Sequence, residues 1–265
     1  MPNRRSSLAR LLAAALLAAG LAAAQAADVV RLGVTAGPHA QIAEVAKKVA
    51  ARDGIDLRIV EFQDYIRPNA ALDAGDLDAN SYQHRPFLDS QIQARGYKLS
   101  AVGYTVTFPM GFYSKRVKSL AALPHGARVG IPNDPSNSGR ALQLLQKAGV
   151  LKLKAGAGIA ATATDIVDNP KGLQIVQLEA AQLARSLDDL DASAINTNYA
   201  IQAGLVPTRD AVAIEDAQGP WANLLAVRTA DKDKPWVAKL VKAYQSPEVR
   251  AFVADKFNGS MVPAF

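Results

Sequence analysis

Residues 29–59, VVRLGVTAGPHAQIAEVAKKVAARDGIDLRI, contain the pattern that decides the fold of this chain. The segment opens with an apolar run typical of a buried strand and continues into a turn that contains glycine and proline. Apolar side chains then recur at positions i, i+3, i+4 and i+7, which predicts a buried helix face formed by Ile42, Val45, Ala46 and Val49. Gly54 ends this helix, and alternating apolar and polar residues over 55–59 predict a second strand. The segment is therefore predicted to be a β-α-β unit, which builds parallel sheets covered by helices.

The same order of elements recurs in residues 128–149 and predicts a second lobe. Residues 128–131 are strand-like, a turn follows, and the helical spacing returns at Ala141, Leu144, Leu145 and Ala148. Residues 102–113, between the two units, read as extended. Because proline is disfavoured in a central strand, Pro109 predicts an edge strand or a crossing between lobes. The predicted fold class is α/β with two lobes.

The first 26 residues predict a secretory signal peptide. Arginines precede an apolar run over residues 11–24, and Ala24-Gln25-Ala26 has the small-x-small form of a cleavage site. The run is shorter than the about 20 residues that a membrane-spanning helix needs. The chain contains no cysteine, so it has no residue to carry the lipid of a bacterial lipoprotein and no disulfide. We therefore expect an exported, periplasmic protein that is soluble after cleavage and not lipid-anchored.

The remaining composition excludes several classes of function. Removing the three arginines of residues 1–26 from the net charge of +6 leaves +3, which gives no reason to expect nucleic-acid or membrane binding. No histidine has a second histidine at ligand spacing, and no catalytic motif is present, so we expect no enzyme, metal or cofactor. Residues 156–161 fit a dinucleotide-binding pattern, but no clear strand precedes them and a loop is preferred. The acidic residues 188–191 are interpreted as a solvated turn rather than a cation site.

Residues 133–140, NDPSNSGR, are the best candidate for a binding segment because they lie between a predicted strand and a predicted helix. Asn137 or Ser138 could cap the helix, and free N–H groups of its first turn would favour an anion. Gly139 would let a ligand come close, and Arg140 could hold a carboxylate through two parallel hydrogen bonds. A simple capped turn with a solvated arginine fits the residues equally well.

A second candidate segment is NTNY at residues 196–199, directly after a predicted strand. Ligands of open α/β sheets bind beyond the carboxyl ends of the strands, and asparagine offers both a donor and an acceptor to a zwitterion. A helix cap formed by Asn196 or Asn198 is an equally good interpretation. Aromatic residues that suit an aliphatic or thioether side chain lie near these proposed loops, although Phe87 is expected in the core; they are Tyr65, Tyr82, Phe87, Tyr199 and Trp221.

Together these segments resemble the NlpA-type lipoproteins, the methionine-binding components of bacterial ABC importers. The resemblance extends from about residue 32 to residue 265. It is carried by TAGPHA at 35–40, DANSYQH at 78–84, IPNDPSNSGRAL at 131–142, INTNYA at 195–200 and PWANLLAVR at 220–228. The long motif that contains Arg140 is the most specific of these.

The resemblance implies a two-lobed periplasmic-binding-protein fold of type II-like architecture, with the ligand in the cleft between the lobes. Lobe 1 would comprise residues 27–108 and 229–265, and lobe 2 residues 109–228. The implied function is to capture L-methionine outside the cytoplasm and deliver it, as a monomer, to a membrane ABC importer. A methionine-containing dipeptide or another apolar amino acid stays open as the ligand. An exported hydrolase and a surface interaction protein without a small ligand are the alternatives from other classes.

The resemblance also implies the residues of the site. Arg140 would hold the ligand carboxylate, and Asn198 and Asn223 would bind its amino and carboxylate groups. The side-chain pocket would be walled by Tyr65, Tyr82 and His84. His84 has an alternative interpretation as a structural, hydrogen-bonded histidine. Tyr82 stands where the family usually has phenylalanine, so its hydroxyl could alter the preference for the ligand side chain.

Overall fold

The computed structural model describes residues 27–265, which form two α/β lobes; the predicted signal peptide lies outside these residues. The strands are β1 Asp28–Thr35, β2 Ile55–Phe62, β3 Ala79–His84, β4 Leu99–Thr107, β5 Gly111–Tyr113, β6 Arg128–Pro132, β7 Lys152–Leu153, β8 Ile166–Asp168, β9 Gln174–Leu178, β10 Ala192–Ile195, β11 Ala213–Ile214, β12 Ala222–Arg228 and β13 Val262–Pro263. The helices are α1 Pro38–Ala50, α2 Arg67–Ala74, α3 Arg85–Arg95, α4 Pro135–Lys147, α5 Thr197–Gln202, α6 Pro207–Asp210, α7 Pro235–Tyr244 and α8 Pro247–Phe257.

The first lobe is built on the predicted β-α-β unit. Its six-stranded sheet has the order β13-β4-β12-β3-β1-β2, with β1 parallel to both β2 and β3. Helix α1 begins with Pro38, whose missing N–H costs nothing in a first turn, and follows Gly37 at a φ of 79°. The predicted apolar face of α1 joins a core that also contains residues of β1, β2, α7 and α8; among them are Leu32, Ile42, Leu57, Leu240 and Val253. This prediction of the sequence is confirmed.

The second lobe carries a five-stranded sheet of order β11-β5-β10-β6-β9. Strands β6, β9 and β10 are parallel, whereas β5 and β11 add antiparallel pairs at one edge. Leu142 and Leu145 of α4 pack with Val129 and Ile131 of β6 in the core of this lobe. The recurrence of the strand-turn-helix order in the sequence therefore does mark a second lobe.

The chain crosses between the lobes twice. Residues 108–110 connect β4 to β5 and form the first crossing. The predicted extended segment 102–113 therefore contains parts of two strands and the expected crossing at Pro109. Residues 215–221 connect β11 to β12 and form the second crossing. The expected lobe boundary at residue 228 differs from the structure by one strand. Strand β12 lies between β3 and β4 in the first sheet and is antiparallel to both, so the second crossing precedes Ala222. Its apolar run could not reveal which sheet it would complete, because pairing partners are set by tertiary structure.

No helix within residues 27–265 has both the length and the apolar character that crossing a membrane requires.

Candidate functional site

A cavity with about 20 Å³ of free space, room for about one water molecule, lies between the two lobes. All six residues that the resemblance implied line it: Arg140, Asn198, Asn223, Tyr65, Tyr82 and His84. The other lining residues are His39, Gln83, Phe87, Phe108, Asn137 and Asn196. The structure thus brings together, around one space, side chains that are far apart in the sequence.

Helix α4 begins earlier than the sequence pattern indicated. It starts at Pro135, and its N-cap is Asp134, whose carboxylate accepts the backbone N–H of Asn137 at 2.9 Å. The cap is therefore neither Asn137 nor Ser138. Because the capping carboxylate occupies this end of the helix, the free N–H groups expected to favour an anion are partly satisfied by the protein.

Arg140 is buried and already paired. Its Nε donates to the Glu215 carboxylate at 2.8 and 2.9 Å, and its Nη2 donates to the same group at 2.6 Å and to the carbonyl oxygen of Phe108 at 2.8 Å. The parallel hydrogen bonds that Arg140 was expected to make to a ligand carboxylate are thus made to the Glu215 carboxylate instead. Nη1 has no hydrogen-bond partner in residues 27–265.

Gly139 has a different role from the one expected of it. A Cβ at this position would lie 2.4 Å from the carbonyl oxygen of Ile159 and 3.0 Å from that of Ala161. The glycine therefore makes room for the loop 156–161 and not for a ligand. That loop contains a single 3₁₀ turn, Gly158–Ala160, and leads into a second 3₁₀ turn rather than an α-helix, so it lacks the β-α context of a dinucleotide site.

A chain of hydrogen bonds fixes the orientation of two buried amides. The Asn137 amide nitrogen donates to both Asp134 oxygens at 3.1 and 3.0 Å, so its Oδ1 must point the other way. That oxygen accepts from Asn196 Nδ2 at 3.1 Å and from His84 Nε2 at 3.1 Å. Asn196 must then turn its Oδ1 toward the cavity that it lines, where this buried oxygen has no partner in the described part of the chain.

Asn198 presents the opposite kind of atom. Its Oδ1 accepts the Tyr65 hydroxyl at 2.5 Å, and burial raises the pKa of Tyr65, so this hydroxyl keeps its proton and donates it. The Asn198 Nδ2 is buried without a hydrogen-bond partner among residues 27–265. Asn223 lies opposite His84 in the pairing of β12 with β3 and also lines the cavity. The site therefore offers an unpaired donor and an unpaired acceptor.

His84 lines the cavity and also has a structural role, which was its alternative interpretation. Its Nδ1 accepts the backbone N–H of Phe87 at 3.2 Å, which caps α3, so its Nε2 carries the proton that goes to Asn137. Burial, with a contribution from the Arg140 charge, lowers the pKa of His84 to about 3. The ring is neutral at physiological pH and joins the first lobe to the second.

An aromatic wall closes one side of the cavity. The Tyr65 ring centroid lies 5.9 Å from that of Tyr82, 6.0 Å from Phe87 and 5.0 Å from Tyr199. Phe87 is buried as expected of a core residue, yet it also lines the cavity. The Tyr82 hydroxyl donates to the backbone oxygen of Tyr65 at 3.2 Å, so this departure from the usual phenylalanine is satisfied within the protein. Trp221 instead lies behind Arg140, whose Cζ is 4.8 Å from the ring centroid.

The acidic residues 188–191 are engaged by cations of the protein. Asp188 pairs with Lys115, and Asp191 pairs with Arg116 at 2.8 Å while accepting the backbone N–H of Arg128. Across residues 27–265, no group of three or more acidic, histidine or cysteine side chains is arranged to hold a metal ion. This turn is therefore built from ion pairs.

Several residues of the site were not predicted. His39, Phe108 and Glu215 had no assigned role, Asn137 was considered only as a helix cap, and Asn196 was considered both as a helix cap and as part of a candidate binding segment. His39 and Asn137 lie within motifs that carry the resemblance, which was a usable signal. Glu215 gave none, because it follows a two-residue strand and lies 75 residues from the arginine it binds.

Two α/β lobes, two crossings between them and polar side chains from both lobes around one small cavity define a substrate-binding protein of the periplasmic type. The chain belongs to the NlpA lipoprotein family, which it matches over residues 30–265. This is a family of substrate-binding lipoproteins and not a family of enzymes.

The chain is similar over most of its length to proteins named for methionine binding or transport. It is 50% identical over 236 residues to the D-methionine-binding lipoprotein MetQ of Escherichia coli strain K12, covering 88% of this chain and 87% of the relative. A methionine-bound nutrient binding protein from Burkholderia cenocepacia is 57% identical, with a TM-score of 0.87 over 89% of this chain and 100% of that one. A periplasmic substrate-binding protein of an ABC transporter from Coxiella burnetii is 50% identical, with a TM-score of 0.86, over 89% and 100%.

Proposed function

We propose that this protein binds methionine outside the cytoplasm and delivers it to a membrane ABC importer, without catalysing a reaction. One observation carries the assignment of an amino-acid ligand. A buried donor, Asn198 Nδ2, and a buried acceptor, Asn196 Oδ1, both lack partners in residues 27–265 and belong to residues that line the same cavity as Arg140. Buried polar atoms are rarely left unpaired, so this arrangement points to a ligand that supplies both an acceptor and a donor.

The positions of the unpaired donor and the unpaired acceptor decide where each charged group of the ligand is expected to bind. The carboxylate is expected at Arg140 Nη1 and Asn198 Nδ2, and the ammonium group at the Asn196 oxygen. Asn223 contributes to the same end groups. The thioether side chain is then directed to the wall of Tyr65 and Tyr82, because aromatic faces make favourable contacts with sulfur.

Binding is coupled to closure of the lobes. Hydrogen bonds already join the lobes at Tyr65–Asn198 and at His84–Asn137, and Gln202 Nε2 donates to the backbone oxygen of Ala36 at 2.9 Å. A ligand that contacts both lobes stabilises the closed state, because it would lose the contacts with one lobe when the lobes open. The closed form is the one proposed to dock on the importer.

The experiment is calorimetry on protein that has been unfolded to strip any copurified ligand and then refolded. L-methionine is the ligand that the family resemblance implied, whereas the MetQ relatives are named for D-methionine, so both enantiomers are titrated. A thermal-shift screen of the other amino acids and a methionine-containing dipeptide accompanies the titrations. Tight binding of either enantiomer, above the other ligands, supports the proposal, and a shift with none of them would refute it in favour of a protein without a small ligand.

We also propose that the protein acts in the periplasm as a soluble monomer without a lipid anchor. The matched relatives are named lipoproteins, but these 265 residues contain no cysteine to carry a lipid. Fractionation after expression with labelled palmitate tests this. Unlabelled protein in the periplasmic fraction, with a monomer's elution volume, supports the proposal; labelled protein in the membrane fraction refutes it.

A further inference from the structure

Glu215 is a largely buried acidic residue for which the proposed ligand contacts give no role. It begins the second crossing between the lobes, directly after β11. Its backbone N–H donates to the carbonyl oxygen of Met110 at 3.0 Å, and its carboxylate accepts the Met110 N–H at 2.7 Å. Because Met110 lies in the first crossing, Glu215 ties the two crossings to each other.

The same carboxylate fixes the arginine of the site. Glu215 occupies the Nε and Nη2 edge of Arg140, and the two side chains are 9% and 2% exposed. Three hydrogen bonds from Arg140 to this carboxylate hold the guanidinium in place. The arginine therefore reaches the cavity in one orientation, with its positive charge already balanced.

The other side chains that line the cavity do not supply a net charge. Arg140 is the one cationic side chain of the lining, since burial lowers the pKa values of His39 and His84 to about 3 and leaves both neutral. The Asp134 carboxylate accepts hydrogen bonds from Asn137 and adds negative charge near the buried amide of that residue. With Glu215 in place, the cavity has no excess positive charge to offer an anion.

We propose that Glu215 determines the ligand class of the site: by neutralising Arg140, it makes the cavity accept a zwitterion and disfavour a ligand of the same shape that carries a carboxylate alone. This inference rests on the proposed binding of an amino acid. The field of one buried charge acts on the net charge of the ligand, which is zero for methionine and −1 for its analogue without the amino group. Loss of the Glu215 charge should therefore favour the anion over the zwitterion.

The test compares two ligands in matched variants by calorimetry on stripped, refolded protein. The ligands are L-methionine and 4-(methylthio)butanoate, which keeps the side chain and carboxylate but lacks the ammonium group. The variants are Glu215→Gln, which removes the charge at nearly constant shape, and Glu61→Gln, which removes a charge from an exposed position of β2. A change in the orientation of Arg140 weakens both ligands alike, so the ratio of their dissociation constants isolates the effect of charge.

The wild type is expected to prefer methionine, and Glu215→Gln is expected to reduce this preference by about tenfold or more, whereas Glu61→Gln leaves it within about twofold. If Glu215→Gln weakens both ligands by the same factor, Glu215 only braces the crossings and the inference is overturned. A wild type that binds no methionine is a different result, which overturns the proposed function and this inference with it.

A second, charge-conserving variant keeps the inference open to refutation if Glu215→Gln fails to fold. Glu215→Asp retains the charge on a side chain that is one methylene shorter, which lengthens its contacts with the Arg140 edge. It is expected to weaken both ligands and to keep their ratio within about twofold of wild type, because the net charge of the site is unchanged. A tenfold loss of preference in this charge-conserving variant would also overturn the inference.

Discussion

Replacing Arg140 by methionine is expected to destabilise the ligand-free protein as well as to abolish binding. The substitution removes three hydrogen bonds to the Glu215 carboxylate and one to the Phe108 carbonyl oxygen. It leaves Glu215, which is 9% exposed, as a buried carboxylate whose remaining partner is the Met110 N–H. Breaking a buried ion pair by removing one partner typically costs about 3–5 kcal/mol, and the retained Met110 bond places the expected loss near about 3 kcal/mol.

The double variant Arg140→Met/Glu215→Met separates stability from binding. Two apolar side chains of similar length avoid the unpaired charge, so the free energy of unfolding should recover to within about 1–2 kcal/mol of wild type. The remaining loss arises from the Met110 N–H and the Phe108 carbonyl oxygen, which both lose a partner. Methionine binding should stay absent in the double variant, because no cation remains for the carboxylate.

The assay is urea unfolding of stripped protein followed by far-ultraviolet circular dichroism, with calorimetry for the ligand. Trp221 fluorescence is unsuitable as the global probe because its ring contacts Arg140 itself. The reasoning about the ion pair is refuted if the single variant lies within about 1 kcal/mol of wild type, or if the double variant is as unstable as the single one. A double variant with wild-type affinity for methionine would refute the placement of the carboxylate at Arg140.

Three further predictions test other parts of the site. Asn196→Ala should weaken methionine binding by about 1.5–3 kcal/mol, the scale of a hydrogen bond to a charged group. An unchanged affinity by calorimetry would show that the ammonium group does not bind to the Asn196 oxygen. Burial lowers the pKa of His39 from 6.5 to about 3, so its contribution to stability is complete above pH 6.5 and is lost as the pH falls toward 3. His39→Phe should therefore reduce the loss of unfolding free energy between pH 7 and 4.5 by about 2–3 kcal/mol in urea titrations, and equal losses in both proteins would contradict this. Tyr82→Phe should change the methionine affinity by less than about 1 kcal/mol, because the hydroxyl is bonded to the Tyr65 backbone; a larger change would mean that it contacts the ligand.

The elements that local sequence encodes were predicted well. The helical spacing of Ile42 and Val49 and the turn at Gly54 identified the first β-α-β unit, because side-chain periodicity and turn chemistry are properties of a few consecutive residues. The start of α4 was placed too late, since proline at a first helical position reads as a turn residue when the N-cap is not recognised. Four of the six cavity residues were already candidates from their place in predicted loops, whereas His84, Asn223 and the roles of all six came from the resemblance.

The sequence by itself determined two α/β lobes, the segments that meet between them and a chain without cysteine. Only the tertiary structure decided that β12 completes the first sheet, that Gly139 accommodates a loop, and that the Arg140 edge is occupied by Glu215. It also decided which atom of each asparagine amide faces the cavity. These features depend on atoms brought together from distant parts of the chain, and an amide or a guanidinium shows its free atoms only when its other partners are in place.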